Sequence, residues 1–345
     1  MLAAATKLEN AERVRRHLVS KNALHPEYGV VKELDFIYFP LAKRLSVPLA
    51  KVIEASFSFP RKEKPQTVEQ LLSGNLTPWE KKQLPRAQEI VGTILILEIP
   101  EALQIKEMAI AKAYLMVNKH ITTVVKKKEM HEGTYRLRKV TVLAGARTKE
   151  TIHHENGISL KLDLEKTYFS ARLAHERLRL AKLVEKKEKV LVMFSGAAPY
   201  PVVIAKHSAA AQITGIEINP LAHQYAVENV HLNKSEKRIS LICGDVRRIM
   251  PQHRWKFDRI IMPLPKTGEQ FLDVALPAVK PDGFLHLYTF LREEDRGTYQ
   301  KHIQEICRKA GYAVRIGRGV TCGQFSPAVQ RMCFDMKVIR RERKR

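Results

Sequence analysis

Cysteine is scarce: the 345-residue chain has four, at Cys243, Cys307, Cys322 and Cys333. None stands in a C-x-x-C pair and none has histidine at a matching spacing, which argues against a zinc site and against a disulfide framework. The adjacent His153 and His154 do not change this, because neighbours on an extended segment point to opposite faces. No apolar run reaches the length of a membrane span, and the start, MLAAATKLENAERVRR, turns charged too soon for a secretory leader. The reading is a soluble, cytoplasmic protein. Acidic residues are also in deficit, 36 Asp and Glu against 60 Lys and Arg, a formal net charge of +24. A surface of that sign attracts polyanions, so nucleic acid is the expected partner, although charge does not separate RNA from DNA.

What is present is enough apolar residue, 45%, for a substantial core spread over two or three domains. Three regions are expected. Residues 1–57 read as a small α+β module: NAERVRRHLVSKNAL is helical, with Val14, Leu18 and Val19 on one side, and GVVKELDFIYFPL is a hairpin or a pair of strands. SFPRKEKPQTVEQ, rich in Pro and Lys, reads as a linker. Residues 58–183 read as a second α+β module. There IVGTILILEIP is expected to be one strand and ALQIKEMAIAKAYLMVN a helix. TTVVKKKEMHEGTYRLRKVTVLAG reads as strands turning at Glu132-Gly133, and TIHHENGISLKLDL as a strand pair turning at Asn156-Gly157. Residues 184–345 alternate strand and helix: KVLVMFSG, YPVVIAKHS, ITGIEINP, LAHQYAVENVHLN, ISLICGDVRRI, FDRIIMPLP, TGEQFLDVALPAV, GFLHLYTF. Alternation of this length predicts a doubly wound parallel sheet, with the tail adding edge strands.

Open α/β sheets bind ligands beyond the carboxyl ends of their strands. Gly196 falls in the first strand–helix turn, where a missing side chain lets a ligand approach the backbone. Glu217 closes the second strand, where a carboxylate accepts from ribose hydroxyls, and Asp245 closes the third, placed for an adenine amino group. A dinucleotide or S-adenosylmethionine fits this succession. The single glycine and the proline of FSGAAP do not make a G-x-G-x-x-G, which weighs against the dinucleotide, whereas S-adenosylmethionine carries no phosphate and tolerates the turn. Just upstream, Arg172, Glu176 and Arg179 share one helix side; spacing alone favours a solvated, ion-paired face.

TYFSARLAHER, MFSGAAPYPVVIAK, GIEINPLAHQYAVENVHLNK, GDVR and PLPKTGEQFLDVAL occur in this order. Together they resemble the class I tRNA (guanine-37-N1)-methyltransferases of archaea and eukaryotes. The resemblance extends upstream through NKHITTVVKKKEMHEGTYRLRKVTVLAG to the N-terminal AERVRRHLVSKNALHPEYGVVKELDFIYFPL, which is similar to the family's small domain for the tRNA elbow. It implies a Rossmann-like class I methyltransferase domain with α+β RNA-binding N-terminal and middle domains, acting as a monomer on tRNA with guanine at position 37. The donor implied is S-adenosylmethionine, with no metal.

N1 of guanine carries a proton at neutral pH, and Glu176 matches the family's proposed general base; carboxylates are ionised at that pH and can accept. Arg136 matches the arginine that stabilises charge growing on O6. The resemblance further implies donor-pocket roles for Tyr168, Arg172, Phe194, Gly196, Glu217, Asp245 and Pro263, and RNA contacts for Arg177, Arg138 and Lys266; Arg172 and Arg177 match arginines that support the base and the RNA backbone. The target base must leave its stack to reach the donor.

Two positions depart from the family pattern. Pro263 stands where an Asn helps hold the guanine, so that backbone carbonyls such as those of Met262 or Pro263, or other side chains, must serve. Val192 replaces an acid in the first sheet motif, and Ala198 replaces its second Gly. Two alternatives share the scaffold. One is the wybutosine-pathway transferase, which moves the aminocarboxypropyl group of the same donor; the other is a tRNA-binding protein without catalysis.

Overall fold

The computed structural model describes residues 1–62, 66–85, 88–128, 135 and 137–341. The chain divides into two compact units, Met1–Thr67 and Val68–Arg345, the boundary falling inside the Pro- and Lys-rich stretch. In the first unit, strands β1 (Leu2–Lys7), β2 (Val31–Glu33), β3 (Phe36–Pro40) and β4 (Lys51–Glu54) form an antiparallel sheet of order β2-β3-β1-β4. Helix α1 (Ala11–Ser20) presents Val14 and Leu18 to its core, while Val19 is 50% exposed, outside the apolar stripe expected of it. The hairpin expected over residues 29–41 is the β2–β3 pair.

The second unit opens with short helices α2 (Val68–Leu71) and α3 (Pro78–Lys82), the latter held by a full capping box between Thr77 and Glu80. Strands β5 (Gln88–Val91), β6 (Ile94–Leu97), β7 (Thr123–Lys127) and β8 (Val140–Gly145) follow, with α4 (Glu107–Val117) packed on β7 and β8. IVGTILIL is thus two paired strands rather than one. The chain reverses at Gly92, whose φ of 55° suits glycine, and a side chain there would meet the Thr151 hydroxyl at 2.2 Å. The turn expected at Glu132-Gly133 lies outside the described residues. Strands β9 (Glu150–Glu155) and β10 (Ile158–Asp163) pair through Asn156 and Gly157 at φ 45° and 69°, the left-handed pair a tight two-residue hairpin requires.

Helix α5 (Ala174–Leu183) leads into the large sheet: β11 (Lys189–Met193), β12 (Gln212–Glu217), β13 (Ile239–Cys243), β14 (Phe257–Met262) and β15 (Val279–Leu291) run parallel, in the order β13-β12-β11-β14-β15. Strand β18 (Gln330–Arg341) adds antiparallel to β15, with β16 (Tyr312–Ile316) and β17 (Val320–Gln324) beside it. Val190 to Met193 are wholly buried, as a central parallel strand covered on both faces must be. Helices α6 (Pro199–His207), α7 (Pro220–Leu232), α8 (Val246–Gln252), the single turn α9 (Leu272–Ala275) and α10 (Arg296–Lys309) complete the fold. The helix expected over TGEQFLDVALPAV is broken into two 3-10 turns around α9, since Pro277 cannot continue it. Among the described residues no helix is long and apolar enough to cross a membrane. The order reverses on either side of β11, so the switch point lies where β11, β12 and β14 end.

Candidate active site

A cavity of about 490 Å³ opens at that switch point, within the range that holds a small-molecule cofactor. Its walls include Phe194 and Gly196 after β11, Glu217 at the end of β12, Asp245 after β13, and Pro263 and Leu264 after β14. The first turn is built from left-handed residues: Phe194, Gly196 and Ala198 have φ of 57°, 56° and 64°. Only the glycine takes this conformation without strain; each of the others carries a cost of about 1–2 kcal/mol. A side chain added at Gly196 would have the Tyr168 carbonyl 3.6 Å away as its one close neighbour, so open space lies before it.

Glu217 ties this turn to the next strand. Its carboxylate accepts from the Gly196 N–H at 2.7 Å and the Asn219 N–H at 2.8 Å. Burial raises its pKa above the ordinary value, against the pull of those backbone donors. Asp245 caps α8 by accepting from the Arg247 N–H at 2.8 Å. The same wall carries Phe194, packed edge-on against Phe271 at 4.8 Å, with the Arg247 guanidinium 4.5 Å over the Phe271 ring. A cavity with aromatic rings and carboxylates at two successive strand ends has the groups to hold an adenosine moiety. Phe271, Arg247, Asn219 and Thr267 also line the cavity. Sequence reading did not single them out because they stand past the strand-end positions, although all four fall within GIEINP, GDVR and PLPKTGEQF.

Past Met262 the loop turns at once. Pro263 has no N–H, and the Leu264 N–H folds back onto the Met262 carbonyl at 2.8 Å. That carbonyl is thereby engaged, while Pro263 and Leu264 face the cavity and Pro265 is buried. Lys266, next along, is exposed. Tyr168 lines the cavity, and its hydroxyl accepts from Arg331 at 3.0 Å.

Helix α5 splits its functional side chains between two faces. Leu173, just before it, and Arg177 line the cavity. Glu176 turns instead to the sheet, 4% exposed, where the Tyr288 hydroxyl donates to it at 2.6 Å and Arg179 grips both oxygens at 2.7 and 2.8 Å. Of the face expected to be solvated and ion-paired, Glu176 is buried and Arg179 half-buried, the pairing between them is present, and Arg172, on the 3-10 turn before the helix, is exposed. Arg179 also donates to Asp335 at 2.7 Å, His286 Nδ1 meets Asp335 at 2.6 Å, and Arg259 bridges His286 Nε2 and Glu188, each at 2.8 Å. Arginine only donates, so His286 Nε2 accepts and its proton sits on Nδ1, pointing at Asp335. Burial lowers the pKa of His286, and its bonds to His286 and Arg179 hold Asp335 well below the usual carboxylate range despite burial. Among the described residues His286, Cys333 and Asp335 bring possible metal-ligand atoms within 4.8 Å. Both guanidiniums already occupy that cluster, and their charge opposes a cation there.

Three arginines stand differently from the roles their motifs suggest. Arg177 is 1% exposed, paired through Nε and Nη2 with Glu155, donating to the Ser170 carbonyl and lying 4.9 Å over the Phe169 ring. Arg138 is 5% exposed, forked onto Glu89 at 3.0 and 3.1 Å with a third bond to the Phe169 carbonyl. Both guanidiniums are buried and pin the scaffold, where their motifs suggest RNA contacts. Arg172 sits exposed on a 3-10 turn and does not line the cavity, which suits a backbone contact better than a donor contact. Arg136 lies outside the described residues. The histidine pair divides as an extended segment requires: His153 Nδ1 accepts from the Gly92 N–H, and His154 meets the Ser159 hydroxyl.

Comparison with known proteins gives the same assignment. Residues 5–48 match the tRNA methyltransferase 5 N-terminal domain, 68–148 the TYW2 N-terminal domain, and 151–315 the TRM5/TYW2 methyltransferase domain. The tRNA (guanine(37)-N(1))-methyltransferase Trm5b of Pyrococcus abyssi is 35% identical over 98% of this chain and 99% of its own length. Its crystal structure superposes with a TM-score of 0.72 over 99% of this chain and all of that one, at 34% identity. The complex of aTrm5 with tRNALeu aligns at 0.71, 26% identical, over the same 99% and its full length. An aminocarboxypropyltransferase of Pyrococcus horikoshii is 30% identical over 79% of the chain and 96% of its own length. By near end-to-end identity and by domain order, the chain belongs to the TRM5/TYW2 methyltransferase family.

Proposed function

We propose that the chain is a tRNA (guanine-37-N1)-methyltransferase that takes its methyl group from S-adenosylmethionine. The observation that carries this reading is the cavity at the switch point, with Gly196, Glu217 and Asp245 at three successive strand ends, in a chain similar from end to end to such an enzyme. When bound, S-adenosylmethionine supplies a methyl group on a positively charged sulfur, ready for a nucleophile. Glu217 takes the ribose hydroxyls, Asp245 the adenine amino group, and the Phe194–Phe271 wall the flat base.

The chain must also make guanine N1 nucleophilic by removing its proton. Among the described residues the acids on the cavity wall are Glu217 and Asp245; the acceptor of that proton is Glu176 on α5, by the resemblance of its motif to the family's general base and not by its place on the wall. To accept it, the carboxylate must leave its bonds to Tyr288 and to Arg179 and turn to the cavity side of the helix, where Leu173 and Arg177 already stand. Arg136 stabilises the charge left on O6. Lys266 and Arg172 hold phosphates that position the loop, while contacts to the guanine edge specify it. Residues 1–57 and 58–183 act as RNA-holding parts, and 184–345 carries the donor.

The match of residues 68–148 to the TYW2 N-terminal domain favours a second reading, transfer of the aminocarboxypropyl group. The match at residues 5–48 and the full-length similarity to a methyltransferase favour methyl. Nucleoside mass spectrometry of treated tRNA decides. The expected product is 1-methylguanine at position 37, with loss of turnover in Glu176→Ala. An aminocarboxypropyl adduct, or undiminished transfer by that variant, overturns the product or the mechanism respectively.

A further inference from the structure

On the sheet face that meets α5, β15 and β18 set three residue pairs opposite one another: His286 with Asp335, Tyr288 with Cys333, and Phe290 with Arg331. The first two belong to the buried network around Glu176. The third lies beyond it, at the carboxyl end of β15, the same sheet edge on which β11 to β14 deliver the cavity residues. Arg331 lies 5.0 Å over the Phe290 ring, and Phe325, in the turn between β17 and β18, packs on Phe290 with centroids 4.2 Å apart. Arg331 also donates to the Tyr168 hydroxyl, and Tyr168 lines the cavity. The cluster is therefore continuous with the cavity wall. Its outermost member, Phe325, is 56% exposed.

An apolar ring left open to water, backed by a second ring and a guanidinium, is the arrangement on which unpaired nucleobases stack. The cation beneath adds attraction for the flanking phosphates. A base that enters the cavity must leave its helix or loop stack, and its neighbours in the strand lose a stacking partner. We infer that Phe325, supported by Phe290 and Arg331, is a stacking platform for an unpaired base of the RNA substrate adjacent to the base being methylated. The inference rests on the tRNA reading above and adds to it a residue that recognises substrate.

The test uses the full chain and unmodified tRNA. Phe325→Leu keeps apolar bulk but removes the flat π-face. It is expected to raise KM for tRNA about tenfold, as loss of one base–aromatic stack does. The kcat is expected within about twofold of wild type and affinity for S-adenosylmethionine unchanged, since neither depends on the stack in this reasoning. Phe325→Trp is expected to restore KM, and its emission, after subtracting the wild-type signal of Trp79 and Trp255, to be quenched when tRNA binds. An unchanged KM in Phe325→Leu, with or without a lower melting temperature, overturns the platform and leaves Phe325 a packing residue of the turn. Emission of Phe325→Trp indifferent to tRNA overturns it too. Wild-type protein that binds tRNA without methylating guanine 37 counts against the functional reading alone, because quenching is read without turnover.

Discussion

Arg177→Met is the substitution on which the sequence motif and the structure disagree most sharply. The motif places Arg177 on RNA; the structure places it 1% exposed against Glu155, itself 9% exposed. Removing one partner of a buried ion pair leaves the other charge uncompensated, at about 3–5 kcal/mol. Here the lower end applies, because the His153 ring stands 3.5 Å from Glu155 and leaves the carboxylate a polar neighbour. About 3 kcal/mol corresponds to a fall in melting temperature of roughly 6–12 °C for a unit of this size. Burial pushes the Glu155 carboxyl up, but its bonds to His153 and Arg177 hold the pKa below the ordinary value. A depressed carboxylate pKa contributes stability above its unfolded value that is lost as pH falls through the native one. Without Arg177 the burial effect dominates and the sign reverses, so the variant's deficit is expected to shrink between pH 7 and pH 5. Adding Glu155→Gln should recover most of the loss, since no buried charge then remains unpaired. Thermal unfolding of the full chain, followed across pH, measures the wild type and both variants. A melting temperature within about 1 °C of wild type for Arg177→Met, with tRNA affinity reduced tenfold, would refute the reasoning and restore the phosphate contact.

Glu217→Gln removes a charged acceptor that the donor's hydroxyls would use, and calorimetry with S-adenosylmethionine is expected to show affinity about 10- to 100-fold weaker. Because burial raises the pKa of Glu217, wild-type donor affinity should begin to fall at a higher pH than an ordinary carboxylate would set, and this dependence should vanish in the variant. Ala198→Gly relieves a left-handed alanine at φ 64° and is expected to raise stability by about 1 kcal/mol, offset partly by glycine's freedom in the unfolded chain; a lower melting temperature would count against strain in this turn. His286, wholly buried between Asp335 and Arg259, has a lowered pKa. Its contribution to stability is complete above the unfolded value of about 6.5 and is lost as pH falls below it, at up to about 1.4 kcal/mol per pH unit. Urea unfolding of His286→Gln should therefore show a shallower loss between pH 6.5 and 5 than wild type, and equal slopes would exclude His286 as the source.

Much of the donor site is legible along the chain because its determinants are local. A parallel strand reads as an unbroken apolar run, as Val190 to Met193 do, and the residue where the run ends is delivered to the binding edge. Gly196, Glu217 and Asp245 follow from that rule alone, and Asn156-Gly157 follows from the φ values a tight hairpin needs. By contrast IVGTILIL reads as one strand because Gly92 is a single break in an apolar stretch, and the need for it comes from Thr151, far along the chain.

The basic charge, the strand–helix alternation of residues 184–345 and the strand-end acids are local properties, since they depend on composition and on periods of two and 3.6 residues. Which charges face water is set by contacts far apart along the chain. Arg177 meets Glu155 22 residues away, Tyr288 reaches Glu176 across 112, and Arg179 reaches Asp335 across 156. A guanidinium carries the same charge and the same motif whether it ends in solvent or against a buried carboxylate. The choice is set by the desolvation of the pair and the packing of β9, α5, β15 and β18 around it, and that packing exists only once the chain has closed on itself.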